Sequence, residues 1–135
     1  IQRQEEARET KEAEEQDMPV IRLSSVKNTK NKYVEQAVQQ IREHYQEDIN
    51  ISTVAGELEI SEGYLSRVFK KETDYTFTSY LTLYRMKKAM TLLKDCRVKV
   101  YEVAEQVGYS DTAYFSAQFK KVTGISPSEY QDRSR

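Results

Sequence analysis

The pattern of apolar positions in residues 77–93 predicts one helix whose apolar face changes sides halfway along. With about 100° between successive side chains, the first half places its large apolar residues on one side: Phe77, Tyr80, Leu81 and Tyr84. The second half places its apolar residues on roughly the opposite side: Met86, Ala89, Met90 and Leu93. A surface helix that packs on a single core keeps one apolar stripe. We therefore predict a linker helix, about residues 76–94, that packs into two small cores.

The segments on either side of this helix repeat each other. Residues 54–61 align with residues 103–110, and the match continues beyond the following turn with a shared aromatic and basic pattern: Tyr64-Leu65-Ser66 with Tyr114-Phe115-Ser116, and Phe69-Lys70-Lys71 with Phe119-Lys120-Lys121. The second copy carries one extra residue in its turn. Two copies are too few for a solenoid, so the chain contains a duplicated supersecondary unit.

Helical spacing of apolar residues also holds outside the linker helix. It begins near Lys32 and predicts about seven helices in an all-α fold, with two helix-turn-helix subunits at about residues 32–75 and 95–131. We expect Ser52, Ser61 and Ser110 to act as N-caps. The last helix has Ser126 as N-cap with Pro at the first helical position. Gly124 is expected to end the helix before it in a left-handed conformation.

Composition is typical of a soluble, mostly helical protein. Of the 135 residues, 38% are hydrophobic and 32% charged, with only 4 glycines and 2 prolines. No apolar run approaches the ~20 residues of a membrane span, and one cysteine, Cys96, suits a reducing cytoplasm. The net charge of −1 does not decide whether nucleic acid is bound, because binding depends on where the basic residues lie. We find no phosphate-binding glycine loop, paired catalytic carboxylates or metal-ligand cluster, and expect neither an enzyme nor a cofactor.

Residues 1–31 differ from the rest of the chain because they contain few apolar residues. Their first 17 residues are dominated by Glu, Gln, Arg and Lys. The segment is either the end of a connector helix from a missing upstream domain or a disordered linker. Because the sequence begins with Ile1 rather than Met, we expect it to be a piece of a longer protein.

Each repeated unit has the pattern of a helix-turn-helix: a short helix, a tight turn and a second helix with an apolar inner face. The outer face of the second helix consists of small or basic residues, except for Glu62 at the start of the first copy. The pairs Lys70-Lys71 and Lys120-Lys121 occupy matching positions, where they could contact DNA phosphates. A linker helix could hold the two second helices about one DNA turn apart, ~34 Å, so that they meet successive major grooves.

Several longer motifs make the resemblance more specific. The second unit contains Glu102-Val103-Ala104, Val107-Gly108-Tyr109-Ser110-Asp111, Tyr114-Phe115-Ser116, Phe119-Lys120-Lys121, Thr123-Gly124 and Ser126-Pro127-Ser128-Glu129-Tyr130. With these motifs, residues 32–131 resemble the DNA-binding domain of AraC/XylS-type transcription regulators. The sequence of residues 101–124 is most similar to those family members that are fused behind a receiver domain in bacterial two-component systems.

The resemblance implies that the third and sixth helices are recognition helices. It assigns base-facing positions to Gly63, Ser66, Arg67, Thr112, Ala113, Ser116 and Ala117, and phosphate contacts to Lys70, Lys71, Lys120 and Lys121. The chain departs from the family pattern in three places. Glu59 and Asp74 stand where small or glycine residues are usual, and Ala117 replaces a position that is often basic.

The expected function is therefore that of a sequence-specific transcription regulator that binds double-stranded DNA, with RNA polymerase as a further partner. The isolated fragment is expected to bind as a monomer, because one chain already holds two recognition helices. The alternative is a protein-interaction module whose helix-turn-helix surface contacts another regulator or polymerase. Glu62 and the near-neutral net charge favour that alternative.

Overall fold

The computed structural model describes residues 31–134, which contain seven helices and no strand. In chain order these are α1 (Lys32–His44), α2 (Ile51–Leu58), α3 (Glu62–Thr73), α4 (Phe77–Leu93), α5 (Val100–Gln106), α6 (Thr112–Thr123) and α7 (Pro127–Arg133). The predicted all-α class and the number of helices are confirmed. The expectation of a linker or connector in residues 1–31 falls, apart from Asn31, outside the described residues. No helix between residues 31 and 134 has the length and apolarity needed to cross a bilayer.

Helix starts follow from side chains that accept hydrogen bonds from free backbone N–H groups. Ser61 and Ser126 act as N-caps as predicted. The prediction of Ser52 is wrong, because Asn50 accepts the N–H of Thr53 at 2.9 Å and starts α2 earlier. The prediction of Ser110 is also wrong. The carboxylate of Asp111 accepts the N–H of Tyr114 at 3.1 Å, and a negative charge at this end is further stabilised by the helix dipole.

The first half of α4 closes the first unit in the way that α7 closes the second. Thr76 caps α4 as Ser126 caps α7, and Phe77 occupies the buried first position that Pro127 takes in α7. One turn further, Tyr80 packs edge-on against Phe69, just as Tyr130 packs against Phe119: Phe69–Tyr80 ring centroids lie 5.5 Å apart and Phe119–Tyr130 centroids 5.7 Å apart. All four rings are buried, so each pair lies inside the core of its unit.

The second half of α4 opens the second unit in the way that α1 opens the first. Its fully buried residues repeat the spacing of those in α1: Met86, Ala89 and Leu93 against Val34, Ala37 and Ile41. Met90, which the sequence pattern placed in the same core, is only partly buried. Apart from that residue, the predicted change of face is present. The helix is in effect the last helix of one unit continued into the first helix of the next.

The main helix contacts follow this division. Helix α4 packs against α1 and α3 with one face and against α5, α6 and α7 with the other. The same hydrogen bond is present near the end of both second helices: the hydroxyl of Thr73 donates to Phe69 O at 2.8 Å, and that of Thr123 donates to Phe119 O at the same distance. Both threonines are buried, so each helix ends at the same depth beside its core.

Four residues of the described chain have left-handed backbone conformations, and two of them are not glycine. Gly108 and Gly124 have φ of 100° and 89°, whereas Glu59 and Asp74 have φ of 59° and 68°. Asp tolerates this region moderately well, while a longer side chain such as Glu is less favourable there. The two departures from glycine noted in the sequence therefore fall on positions where glycine would fit.

We predict that Glu59→Gly stabilises the protein by about 0.5–1 kcal/mol, because the relief of left-handed strain exceeds the entropic cost of glycine. The matched control is Glu57→Gly, which removes the same charge from an exposed position inside α2. That change should destabilise by about 0.5–1 kcal/mol. Chemical denaturation of both variants measures the difference. Equal losses of stability would contradict the role assigned to the conformation of Glu59.

Candidate nucleic-acid interface

Two helix pairs, α2 with α3 and α5 with α6, begin their turns with the same backbone hydrogen bond. In the first turn, Ile60 N donates to Ala55 O at 3.1 Å, and in the second, Tyr109 N donates to Ala104 O at 2.8 Å. In each turn, the residue that donates this bond comes directly after a residue in the left-handed conformation, Glu59 or Gly108. This backbone bond turns the chain sharply, so the second helix of each pair crosses the first instead of continuing it.

The inner faces of α3 and α6 are fixed by buried side chains. Leu65 and Phe69 of α3 and Phe115 and Phe119 of α6 have no solvent exposure. Because they recur at helical spacing, the opposite faces of both helices are left on the surface. The geometry is that of two matching helix-turn-helix units, each presenting its second helix outward.

The structure places the candidate base-facing residues on these outer faces. Gly63, Ser66 and Arg67 are exposed on α3. On α6, Ala113 and Ala117 are exposed, while Thr112 and Ser116 are half-buried. Within each helix the spacing of three and four residues brings the candidates onto one side.

Arg67 has the longest side chain among these candidates, and its surroundings are ordered. Its guanidinium carbon lies 5.7 Å from the centroid of the Tyr64 ring. The ring of Tyr64 packs edge-on against Tyr33 with centroids 6.2 Å apart, and its hydroxyl accepts a hydrogen bond from Asn31 at 3.4 Å. A cation–π contact of this kind limits the positions that the arginine samples, and its exposed guanidinium keeps donors for a ligand.

The candidate phosphate-binding lysines lie in the last turns of the same helices. Lys70, Lys71, Lys120 and Lys121 are all exposed. Lys70 donates to Asp74 O at 3.3 Å, which holds its ammonium group near the end of α3. Acidic groups lie at the other ends, where Glu62 begins α3 and Asp111 caps α6. Each outer helix therefore has an acidic residue at its start and a lysine pair in its last turn.

Two features of these helices escaped the sequence analysis. Tyr114, the counterpart of Tyr64, is 55% exposed on α6 and leans on Tyr109 with ring centroids 5.9 Å apart. From the repeat alone, Tyr64 and Tyr114 would have equivalent environments. The ring of Tyr33 on α1 covers Tyr64, whereas the position on α4 that corresponds to Tyr33 is occupied by Arg85. The second feature is Gly63, where an added Cβ would meet no atom within 4 Å. The packing of the protein itself therefore gives no reason for a glycine there.

The described residues contain no group of three or more His, Cys, Asp or Glu side chains arranged to hold a metal ion. Cys96 lies exposed in the segment between α4 and α5.

Known proteins share this architecture. A family of helix-turn-helix domains matches residues 54–133. The transcriptional regulatory protein HptR of Staphylococcus aureus is 40% identical over 98 residues, which are 73% of this chain and 38% of that protein. This chain therefore spans well under half of that relative's length.

Solved structures agree with the sequence matches. The C-terminal domain of AraT, a response regulator from Geobacillus stearothermophilus, is 40% identical with a TM-score of 0.74, covering 78% of this chain and 87% of that one. The DNA-binding domain of AdpA, solved in complex with a target DNA, is 25% identical with a TM-score of 0.71, covering 76% of this chain and 92% of that one.

These matches cover both helix-turn-helix units and the helix between them. The matched family consists of domains of transcription regulators and is not a family of enzymes, which confirms that expectation. The chain belongs to the AraC-type helix-turn-helix family of DNA-binding transcription-regulator domains, within the group found as output domains of response regulators.

Proposed function

We propose that this chain binds double-stranded DNA in a sequence-specific manner by inserting α3 and α6 into successive major grooves. The observation that carries the proposal is the duplicated outward face: two second helices, each with small or donor side chains at its centre and a lysine pair at its end. Recognition helices of helix-turn-helix proteins contact bases in this way. The AdpA domain, with the same fold, was solved on DNA, which supports the same partner here.

The two units contribute unequally in this proposal. Arg67 of α3 can donate two hydrogen bonds to guanine O6 and N7 in the major groove. Its counterpart on α6 is Ala117, which can only pack against thymine methyl groups or lie close to the backbone. Base discrimination therefore comes mainly from α3, and α6 supplies affinity through Lys120, Lys121 and close contact.

One chain holds both recognition helices, so we propose that a single chain occupies one site. Dimerisation of the parent protein, where it occurs, would then come from other regions. RNA polymerase is the further partner expected of a transcription regulator, and the bacterial cytoplasm is the location where such a protein meets DNA.

A second candidate function is a protein-interaction module that uses the same outer faces. Glu62 and Asp111 favour it, because an acidic side chain at the start of each outer helix would repel phosphate. The net charge of −1 also gives no general attraction to DNA. The two candidates differ in whether random-sequence DNA is bound at low salt.

We expect the 135-residue protein to bind a random-sequence duplex with an affinity that falls steeply as salt increases. Lys120→Ala should weaken binding to all duplexes similarly and reduce the salt slope by about one unit. The matched control is Arg97→Ala, which removes a positive charge that is paired with Asp95 away from α6. Fluorescence anisotropy over a salt series measures both slopes, and sedimentation of the complex should give one chain per site. Absence of binding at low salt would favour the protein-interaction module.

Arg67→Ala should weaken binding to the strongest duplex selected from a randomised pool by about 1–3 kcal/mol and relax the preference at one guanine. The reason is the loss of a bidentate contact. The competing interpretation is that Arg67 contacts a phosphate. Competition titrations with single-base-substituted duplexes distinguish the two, because a phosphate contact predicts equal losses on every duplex.

Gly63→Ala should separate stability from binding. Alanine favours a helix over glycine by up to about 1 kcal/mol, and the added methyl has free space in the protein alone. The variant should therefore be at least as stable as the parent but bind DNA more weakly, because the methyl occupies space that the DNA needs. Gly56→Ala is the matched control, since Gly56 also has open space but lies on α2. Unchanged affinity of Gly63→Ala would remove Gly63 from the interface.

A further inference from the structure

The two helix-turn-helix units meet at a polar contact beside the middle of α4. This contact, called the joint below, is centred on the side chain of Arg85. Arg85 of α4 donates from Nε to Tyr45 O and from Nη2 to Glu47 O, both at 2.8 Å. Tyr45 is the C-cap residue that follows α1, and Glu47 lies in the segment between α1 and α2. One side chain of the shared helix thus binds two backbone carbonyls of the first unit.

The same arginine also contacts the second unit. Its guanidinium carbon lies 5.4 Å from the centroid of the Tyr109 ring, and Tyr109 is a buried residue in the turn between α5 and α6. A guanidinium can stack on an aromatic ring while donating hydrogen bonds in its own plane. Arg85 therefore binds the first unit through its N–H groups and contacts the aromatic ring of Tyr109 in the second unit.

Gly108 brings the backbones of the two units together at this point. A Cβ added to Gly108 would lie 2.8 Å from Tyr45 O and 3.2 Å from Cζ and Nε of Arg85. Such a contact leaves no room for any side chain other than hydrogen. The turn of the second unit is thereby seated against the end of α1, with Arg85 between them.

Neighbouring contacts keep the first-unit side of the joint in place. The ring of Tyr45 packs edge-on against Tyr84, the residue before Arg85, with centroids 5.3 Å apart. The two carbonyls lie at and just beyond the C-terminus of α1, where the helix dipole attracts a cation. The first unit therefore offers a preformed acceptor site for the guanidinium.

We propose that Arg85 is a positioning residue that fixes the orientation of the first recognition helix relative to the second. Apolar packing of α4 holds each unit on the helix but permits small rotations, because it is not directional. Two hydrogen bonds and a cation–π contact on one planar group are directional. This inference rests on the proposed function in one respect only: the orientation matters because both recognition helices bind one DNA site.

The first experiment measures the orientation without DNA. Residual dipolar couplings of backbone amides in the 135-residue protein should fit one alignment tensor for α1–α3 and α5–α7 together. Arg85→Ala and Arg85→Lys should each require two different tensors, because lysine keeps the charge but cannot bind two carbonyls and stack at once. Arg97→Ala, an exposed arginine of the second unit, should retain one tensor. Thermal melting followed by circular dichroism establishes that each variant is folded, and Arg85→Lys carries the test if the alanine variant does not fold.

The second experiment measures the consequence for DNA binding. The probes are the strongest duplex selected by the parent protein from a randomised pool, and versions with a few base pairs inserted or removed at its centre. If the binding-competent orientation falls to roughly a tenth of the population, affinity for the selected duplex falls about ten-fold. The altered duplexes should lose less, so the preference for one spacing should weaken. The Arg97→Ala protein should keep both the affinity and the spacing preference.

A single tensor in both Arg85 variants would overturn the positioning role. Two tensors with an unchanged spacing preference would overturn its link to DNA recognition. Failure of the parent protein to select any duplex would instead overturn the proposed function, and the couplings would still decide whether Arg85 sets the orientation.

Discussion

The structure depends on the packing of α4 into two cores at once. Tyr80 and Leu81 are buried with the first unit, and Met86 and Leu93 with the second. Full burial of a large apolar side chain contributes about 1.5–3 kcal/mol, so each half of the helix has a substantial reason to stay in its own core. Neither unit can release α4 without exposing apolar surface that its own helices cannot cover.

This arrangement explains how so short a chain supports two helix-turn-helix units. Small units bury a limited fraction of their surface and are marginally stable alone. Sharing α4 supplies a closing helix to the first unit and an opening helix to the second. Because both units pack on one continuous helix, α4 also sets the distance between them.

Duplication has preserved the interior and changed the surface. The aromatic pairs Phe69–Tyr80 and Phe119–Tyr130 have nearly the same separation and tilt. On the outer faces, by contrast, Arg67 stands opposite Ala117 in the repeat. Packing constrains shape and volume at buried positions, whereas exposed positions are free to change with the ligand. Two units with one backbone geometry can therefore play different parts at one binding site.

Much of the fold followed from the sequence. The change of face in α4, the repeat and the left-handed position of Gly124 are local patterns that depend on residues close together in the chain. The cap predictions failed at Ser52 and Ser110 because neighbouring Asn50 and Asp111 are competing acceptors, and only the backbone geometry selects between them. The outer helices themselves were predictable, because their buried stripes define the opposite face.

Other features were decided by tertiary structure alone. Periodicity placed Met90 with Met86, but in the folded protein Met90 is only partly buried against the core. The different exposures of Tyr64 and Tyr114 depend on whether Tyr33 or Arg85 occupies the equivalent position on the opening helix. The joint at Arg85 links this residue to Tyr45, 40 positions earlier in the chain. No local pattern encodes such a contact, because a hydrogen bond to a backbone carbonyl leaves no signature in the sequence of the acceptor.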